Sequence, residues 1–306
     1  MLLKSIFIFS LFFPCIIFAQ IQTTDSLKVK IDSPNVGYYQ ETFGDKMGKG
    51  AVKFGQMLLN IPEDNFLFIK NCFDVKKIPT YIGITALTFA LSEFDRRGWN
   101  TEHLLYKNNP LFHKTVDATV LFGDGKLGLI LSGIFAAEGL ITSNDQSLIT
   151  ASRITEAVLS SGLFVQLLKH ITGRMSPAVA KSRAGEFDFF PSIKQYMHNQ
   201  PEFYSFPSGH LAAAAATFEV LANEYPQEKW IRPLGYSAMG LLGISLVSKG
   251  MHWYSDLPLG FFIGYSFGDL ITSGDKHNNN SDEKPALQFS PSLGSDKIGI
   301  QIDYSF

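Results

Sequence analysis

Six apolar stretches of helical length, separated by short polar connectors, do most to constrain how this 306-residue chain can fold. None of them alternates apolar and polar residues with the period of two that a half-buried strand shows, and each is long enough to form a helix. The sequence therefore predicts an all-α protein built as a six-helix bundle. The stretches are Ile78 to Phe94, Leu127 to Ile141, Ile154 to Leu168, Leu211 to Leu221, Leu234 to Val247, and Leu257 to Ile271.

The same stretches leave open whether the bundle lies in a membrane. A spanning helix needs about 20 apolar residues, and these stretches are shorter. Several also carry an acidic residue, namely Glu138, Glu156, Glu219 and Asp269. The basic pairs Lys76-Lys77 and Arg96-Arg97 flank the first stretch on both sides, so the positive-inside rule gives no orientation. A compact exported helical domain and a bundle of short membrane helices both fit this pattern.

The N-terminal residues are typical of an export signal. Lys4 provides the positive start, residues 6–18 are almost all apolar, and a small residue follows at a suitable cleavage position. We therefore expect residues 1–20 to be a signal peptide, with an uncleaved membrane anchor as the alternative. Cys15 lies inside this segment, so cleavage would leave Cys72 as the single cysteine, without a partner for an internal disulfide.

Composition divides the rest of the chain into four parts. Residues 21–74 are predicted to be an extended lead-in, residues 75–272 the helical domain, and residues 273–285 a polar linker that cannot bury a core. Residues 286–306 alternate apolar and polar side chains, which predicts a β-hairpin packed on the helical body. The alternation also resembles the last strand of an outer-membrane barrel, but one hairpin cannot close a barrel. The formal net charge of −2 gives no reason to expect a nucleic-acid partner.

The string Pro-Ser-Gly-His at residues 207–210 precedes an alanine-rich helix and suits the binding of an anion. Gly209 lets the backbone approach a ligand closely, and the first amides of the helix, with its dipole, favour negative charge. Ser208 can cap the helix or donate its hydroxyl, and an imidazolium at His210 can give a proton to a leaving alkoxide. The structural alternative is an ordinary capping turn followed by a surface histidine.

A second pair, His252 and Asp256, joins an imidazole to a carboxylate four residues later. This spacing puts both side chains on one face of a helix. A carboxylate on one ring nitrogen fixes the tautomer and leaves the other nitrogen free to attack. A structural His-Asp hydrogen bond is the alternative. A metal pair is disfavoured because no third or fourth ligand accompanies it at a recognisable spacing.

Three cations lie close in sequence to these motifs. Lys169 ends the third apolar stretch, Arg174 follows in a turn, and Lys249 precedes His252 by three residues. Cations at helix ends are often only solvated or paired with the helix dipole. Combined with two histidines and a donor-rich turn, however, they indicate a pocket for a tetrahedral oxyanion and phosphoryl transfer through a histidine.

In their order and spacing, the three motifs resemble those of the type 2 phosphatidic acid phosphatase superfamily, which also contains bacterial acid phosphatases and vanadium haloperoxidases. The resemblance covers about residues 75–272. The middle motif, at residues 207–210, matches in full. In the first motif Lys169 and Pro177 match, but Ser176 stands where the family has an arginine.

The third motif also departs from the family pattern at an arginine, which is replaced here by Leu246. Its matching residues are Ser245, His252 and Asp256. Arginine grips phosphate through two charge-assisted hydrogen bonds, so two losses would weaken oxyanion binding unless other residues compensate. Arg174, which many family members carry at the same position, and Lys249 lie close enough in sequence to take over.

The resemblance implies an exported hydrolase of a phosphate monoester or diphosphate, and we expect that phosphate to be lipid-linked. It implies that His252 forms a phosphohistidine, that Asp256 orients it, and that His210 protonates the leaving group and then activates water. Phosphate oxygens would be held by Lys169, Arg174, Ser208, Gly209 and Lys249. No metal and no cofactor are expected.

 The expected substrate is a small-molecule or lipid phosphate. The apolar, phenylalanine-rich composition favours a lipid-linked one.

The resemblance also implies a location and two alternative functions. We expect the protein to be periplasmic or membrane-associated, with the active site on the outer side of the inner membrane. One alternative is a vanadate-dependent haloperoxidase, because the same pocket holds vanadate in that branch of the family. The other is a non-catalytic relative that binds phosphate or lipid, which the replacements at Ser176 and Leu246 favour.

Overall fold

The computed structural model describes residue 57 and residues 60–72, 74–123, 125–182, 185–278, 287–294 and 297–304. The predicted signal peptide lies outside these ranges, as do residues 279–285 of the predicted linker and residues 286, 295–296 and 305–306 of the predicted hairpin. The part of the predicted lead-in before residue 57 also lies outside them.

The described body of the protein is helical from residue 60 to residue 278, with connections between the helices. Its α-helices are α1 (Ile78–Ser92), α2 (Asp95–Asn108), α3 (Pro110–Gly123), α4 (Lys126–Thr142), α5 (Asp145–Thr172), α6 (Ile193–His198), α7 (Gln200–Phe203), α8 (Gly209–Glu224), α9 (Ile231–Ser248) and α10 (Leu257–Asn278). Residues 60–72 are helical as well. Short 3₁₀ helices at Val75–Lys77 and Tyr254–Asp256 lead directly into α1 and α10.

The all-α prediction is confirmed. The six apolar stretches correspond in order to α1, α4, α5, α8, α9 and α10. α5, α8 and α9 each bury many residues against their neighbours, whereas no residue of α1 is buried. The longest, α5, begins at an Asn144 side chain that accepts a hydrogen bond from the Gln146 amide, and it ends at Gly173 in the left-handed region.

Two helices that the apolar pattern does not reveal, α2 and α3, follow α1 directly. No element is predicted for residues 95–123, because charged residues interrupt the apolar ones there. α3 nevertheless carries apolar side chains at every fourth position, Phe112, Val116 and Val120, and the last two are buried in a core cluster with residues of α8 and α9. A spacing of four is a helical signal, and it marks the face of α3 that packs inward.

Two predicted boundaries are wrong. The extended lead-in expected over residues 21–74 includes a helix at residues 60–72, because Phe68 is buried there against the bundle. The ring of Phe68 stacks on Phe267 of α10 with centroids 4.5 Å apart. The polar linker expected from residue 273 begins later, because α10 continues to Asn278.

The closest packing in the bundle joins α8 to α10. Three glycines of α10, four residues apart, face the backbone of α8: Gly260 faces Ser208, Gly264 faces Ala212 and Gly268 faces Ala216. A Cβ on Gly264 would lie only 2.0 Å from the Ala212 carbonyl oxygen. Because glycine has no Cβ, the two backbones can meet at this distance, and the alanines of α8 keep the facing surface equally flat. This contact fixes the start of α8 beside the turn that precedes α10.

The C-terminal hairpin is confirmed for the two strands that the structure describes. β1 (Leu287–Gly294) and β2 (Lys297–Tyr304) pair in antiparallel register, with Leu287 opposite Tyr304 and Gly294 opposite Lys297. This register leaves two residues for the connection, as the predicted turn after Gly294 requires.

Among the residues that the structure describes, α5 is the helix that is long and apolar enough by itself to cross a membrane. Residues Pro110–Leu121 and Lys126–Thr142 meet the same criterion together, although they are bent by 58° with respect to each other. About half of the qualifying window of α5, 56%, is buried inside the protein, as in the core helix of a bundle.

The packing of α8 on α10 predicts a sharp difference between two glycine substitutions. Gly264→Ala should destabilise the fold by about 1–3 kcal/mol or more, because the added methyl group overlaps the α8 backbone. Gly240→Ala on α9, where a Cβ would meet nothing within 4 Å, should instead stabilise by up to about 1 kcal/mol through helix propensity. Thermal unfolding of both variants measures the contrast. Equal melting temperatures would show that α8 and α10 are not in this close contact.

Candidate active site

The rings of the two histidines singled out by the sequence lie against each other. The rings of His210 and His252 have centroids 5.6 Å apart and meet at an angle of 74°. Three segments converge here: the end of α5, the start of α8, and the turn between α9 and α10. The structure therefore brings together residues that lie more than 40 positions apart along the chain.

The end of α5 supplies Lys169. Its side chain is buried, and its Nζ donates a 2.6 Å hydrogen bond to the carbonyl oxygen of Tyr204. The same Nζ lies 3.7 Å from the position that a Cβ would take on Gly209, so the cation stands next to the start of α8. Gly173 ends the helix one turn later, with φ of 52°. Its amide donates to the Lys169 carbonyl oxygen, and its own carbonyl oxygen accepts from the Asp188 amide.

The start of α8 supplies Ser208, Gly209 and His210. Ser208 is the N-cap: its Oγ accepts a hydrogen bond from the Leu211 amide, and its own amide donates to the backbone oxygen of Asp256. The second bond ties the Pro-Ser-Gly-His turn to the turn before α10. The N-terminus of α8 and the Lys169 ammonium therefore face the same space as His210, which favours an anion there.

His252 is buried, and one hydrogen bond fixes its orientation. Its Nδ1 lies 2.6 Å from the carbonyl oxygen of Ser205, so Nδ1 carries the proton, since a carbonyl can only accept. Nε2 is then the nitrogen with a free lone pair. The Asp256 carboxylate lies 3.6 Å from Nδ1, which is too long for a hydrogen bond. The tautomer is thus fixed by a backbone oxygen, whereas the sequence predicted that the Asp256 carboxylate would fix it.

Asp256 is fully buried and binds three different segments of the chain. One carboxylate oxygen accepts a 2.5 Å bond from Arg174 Nη1. The other accepts from the Ser205 hydroxyl at 2.6 Å and from the Trp253 amide at 2.7 Å. Because Ser205 also carries the oxygen that receives His252 Nδ1, the carboxylate positions the imidazole through this serine.

Arg174 binds two buried carboxylates. Its guanidinium donates to Asp256, to the Ser255 hydroxyl at 2.8 Å and to Asp95 at 3.1 Å, and it is 3% exposed. The expected role of Arg174 in holding a phosphate oxygen stays a prediction. Asp95, at the start of α2, was missed by the sequence analysis because it belongs to a polar run with no motif around it.

Lys249 lies at the edge of the site. Its Nζ donates a 2.8 Å bond to Asp117 of α3, and the lysine side chain is 36% exposed. Its charge still acts on His210, as does that of Lys126 at the start of α4. Lys126 is a cation near the site that the motifs did not reveal. The expected role of Lys249 in phosphate binding stays a prediction.

The two positions where the family carries arginine are occupied by packed residues. Ser176 is buried and donates its hydroxyl to the Pro201 carbonyl oxygen at 2.8 Å. Leu246 is fully buried in the core cluster that joins α3, α8 and α9. Neither position has a side chain that could bind an anion through charge.

Burial controls the protonation of the site. Burial lowers the pKa of His252, against the opposing effect of Asp256, and the Lys169 charge lowers it further. Burial, followed by the charges of His252 and Lys169, lowers the pKa of His210 to about 3. Burial also acts to raise the pKa of Asp256, but Arg174 and His252 outweigh it, so the carboxylate titrates below its ordinary value. Both imidazoles are therefore neutral and Asp256 is ionised near pH 7.

These shifts predict that the fold loses stability when the solution is acidified below about pH 6.5, the pKa of an ordinary histidine. Below that pH the unfolded chain binds protons that the buried imidazoles reject, so the free energy of unfolding falls, by about 2 kcal/mol at pH 5 for His210. Asp256 acts at lower pH: its stabilisation is present above its unfolded pKa and is lost only as the pH falls below about 3.8. Urea unfolding at pH 7.5 and pH 5 measures the difference.

His210→Asn is the control for this prediction, because asparagine keeps a polar side chain that does not titrate. The variant should lose less stability between pH 7.5 and pH 5 than the parent protein. An unchanged loss in the variant would mean that His210 is not the group responsible.

Comparisons with known proteins bear on this site. The model of the PAP2 superfamily matches residues 151–279, a range that contains all three motifs. The lipid A 1-phosphatase of Porphyromonas gingivalis is 36% identical over 67 residues, which are 22% of this chain and 15% of that protein. The chain thus matches only about a seventh of the length of this curated relative.

Two solved structures are similar to the chain. The crystal structure of Aquifex aeolicus LpxE is 19% identical, covers 56% of this chain and 92% of that chain, and has a TM-score of 0.42. The crystal structure of a transmembrane PAP2 type phosphatidylglycerolphosphate phosphatase from Bacillus subtilis is 18% identical, covers 64% of this chain and 96% of that chain, and has a TM-score of 0.41.

Proposed function

We propose that the protein is a phosphatase that hydrolyses a lipid-linked phosphate monoester or diphosphate through a phosphohistidine, starting from the match of residues 151–279 to the model of the PAP2 superfamily. The observation that carries the proposal is the pair of facing imidazoles, 5.6 Å apart, beside a buried lysine and a helix N-terminus. A tetrahedral anion bound next to these groups would meet a nucleophile, a proton donor and positive charge at once.

In the first step, the free Nε2 of His252 attacks phosphorus and forms a P–N bond while the P–O bond to the leaving group breaks. His210 gives its proton to the departing oxygen, which leaves as an alcohol or phosphate. The proton stays on Nδ1 of His252, hydrogen-bonded to the Ser205 carbonyl oxygen, and the ionised Asp256 stabilises the positive charge that develops on the ring.

In the second step, water attacks the phosphohistidine. His210 now accepts a proton from that water, the P–N bond breaks, and inorganic phosphate is released with His252 restored. Lys169, the Ser208 hydroxyl and the Gly209 amide are proposed to hold the non-reacting oxygens, with Lys249 at the edge of the site. These groups supply the charge that phosphoryl transfer needs, so we propose that the reaction requires no metal ion.

His210 can act as an acid only if the substrate changes its protonation. Positive neighbours and burial lower its pKa to about 3. A phosphate dianion bound beside it would add two negative charges and raise that pKa. We propose that His210 takes up its proton together with the substrate, so that an acid is present only when there is a phosphoryl group to transfer.

A lipid substrate is supported by the surface beside the site. The phenylalanine loop (residues 187–193) presents Phe189 and Phe190, which are 62% and 67% exposed, and Phe187 packs over Arg174. Phe190 has φ of 56°, a left-handed conformation that is unfavourable for a bulky residue. Large apolar side chains turned outward beside a phosphate pocket suit contact with acyl chains.

The same argument extends to the helices. Large apolar residues on the outer faces of α1, α4 and α9 are exposed, among them Phe89, Ile134, Ile141 and Ile244. Exposed large apolar side chains on several helices suit contact with a membrane. We therefore propose that the protein is associated with a membrane. We also propose that it binds its substrate on the outer side of that membrane.

The phosphohistidine is tested by trapping the enzyme with a ³²P-labelled substrate. Wild-type protein quenched within one turnover should carry an acid-labile, alkali-stable label, and His252→Ala should carry none. His210→Ala should still form some phosphoenzyme but turn over about 10²–10⁴-fold more slowly. A label that survives in His252→Ala would contradict the assignment of the nucleophile.

The lipid preference is tested with two substrates, a long-chain lipid phosphate and p-nitrophenyl phosphate. Replacing Phe189 and Phe190 together by serine should raise KM for the lipid about tenfold or more, since each side chain loses ~1.5–3 kcal/mol of apolar contact. Hydrolysis of p-nitrophenyl phosphate should change by less than about twofold. Phe66→Ser is the matched control, because Phe66 is about equally exposed but lies in the helix at residues 60–72. It should change the hydrolysis of neither substrate. Equal losses on both substrates would count against a role in lipid binding.

A second candidate function is a phosphate- or lipid-binding protein without turnover. The observation in its favour is that Ser176 and Leu246 are packed into the fold at the two positions where the family has arginine. The trapping experiment separates the candidates. A binding protein would bind orthovanadate at the pocket and yield no phosphoenzyme.

A further inference from the structure

Asp95 is a fully buried carboxylate on α2, a helix outside the three motifs. Its Oδ1 accepts a 3.0 Å bond from the Ser255 amide, and its Oδ2 accepts from the Ser255 hydroxyl at 2.6 Å and from Arg174 at 3.1 Å. A buried carboxylate that receives three hydrogen bonds, one of them from a cation, holds its partners in a fixed geometry. Those partners are the residue beside Asp256 and the guanidinium that binds Asp256.

Arg174 bridges two carboxylates. Nη1 of its guanidinium donates to Asp256 and Ser255, and Nη2 donates to Asp95. The rings of Phe187 and Trp253 lie over it, 5.2 Å and 5.6 Å from its central carbon. The cation therefore lies next to two aromatic rings and donates to two acidic side chains.

We propose that Asp95 is a positioning residue for the reaction: it holds Arg174 on Asp256 and thereby sets the charge and the orientation of His252. This inference rests on the proposed function and adds a residue that the motifs do not contain. Asp95, Arg174 and Asp256 together carry one net negative charge. Removing the charge of Asp95 leaves that group neutral, so it stabilises a positive His252 ring less.

The charged groups that face His252 come from every element packed around it. They are Lys169 from α5, His210 from α8, Asp256 from its own turn, and Arg174 and Asp95 behind Asp256. Lys249 and Lys126 act on His210 from farther out. Asp256 acts directly on the His252 ring, and Asp95, the second carboxylate, is connected to it through Arg174.

The test is the pKa of His252 in Asp95→Asn, measured by NMR titration of ¹⁵N-histidine-labelled protein and, independently, as the acid limb of kcat/KM against pH. Attack requires neutral His252, so this limb reports its ionisation in the free enzyme. We expect the pKa from NMR and the pKa of the acid limb both to fall by about one unit. We also expect kcat to fall about 10–100-fold, with KM changed by less than about threefold. An unshifted pKa would overturn the proposal, whatever happens to the rate.

A double variant separates charge from folding. Asp95→Asn alone leaves a buried arginine with one carboxylate, which can destabilise the fold. Asp95→Asn with Arg174→Gln restores the single negative charge of Asp256, so the pKa of His252 should return to within about 0.3 units of the wild-type value while kcat stays low. If the double variant shifts the pKa as far as Asp95→Asn does, the charge argument is wrong.

Glu219→Gln is the matched control, because Glu219 is also buried and accepts two hydrogen bonds from an arginine, Arg232, at 2.7 Å and 2.9 Å. It should lose stability without moving the pKa of His252. The NMR titration needs no turnover, so it decides this inference even if the protein proves to be a binding relative. Absence of phosphatase activity in the wild type would sink the proposed function alone.

Discussion

The carboxylate of Asp256 is the interaction on which the rest of the site depends. It accepts hydrogen bonds from Arg174 after α5, from Ser205 before α8 and from Trp253 before α10, so it joins all three segments that build the pocket. Its backbone oxygen also receives the Ser208 amide, which fixes the start of α8. Burying an ionised carboxylate is unfavourable unless it is fully hydrogen-bonded, and here each oxygen has a partner. A single buried charge thus organises loops that are distant in sequence.

Close backbone packing makes this arrangement possible. The glycines of α10 and the alanines of α8 let the two helices approach until Gly260 meets the Ser208 carbonyl. A helix pair held apart by larger side chains would move the Pro-Ser-Gly-His turn away from Asp256. The small and apolar residues of these helices therefore also determine the position of the groups that we propose to be catalytic.

The fold and the main chemical groups could be predicted from the sequence because their signals are local. Apolar stretches marked six helices, and the motifs named Lys169, Ser208, His210, His252 and Asp256. The partners of Arg174 could not be predicted in this way, since Asp95 is 79 positions away and lies in a polar run that looks solvated. The Ser205 carbonyl that orients His252 is a backbone atom and has no sequence signature. An arginine next to a phosphate motif was therefore assigned to phosphate, although two buried carboxylates bind it.

The central claim is that one pocket holds a tetrahedral oxyanion against His252. A crystal structure of the protein with orthovanadate tests it most directly, because vanadate forms a bond to the attacking nitrogen. The account predicts vanadium bonded to Nε2 of His252, with oxygens facing Lys169 and the N-terminus of α8, and His210 on the opposite side. Vanadate bound to Arg174, or absent from this pocket at saturating concentration, would contradict it.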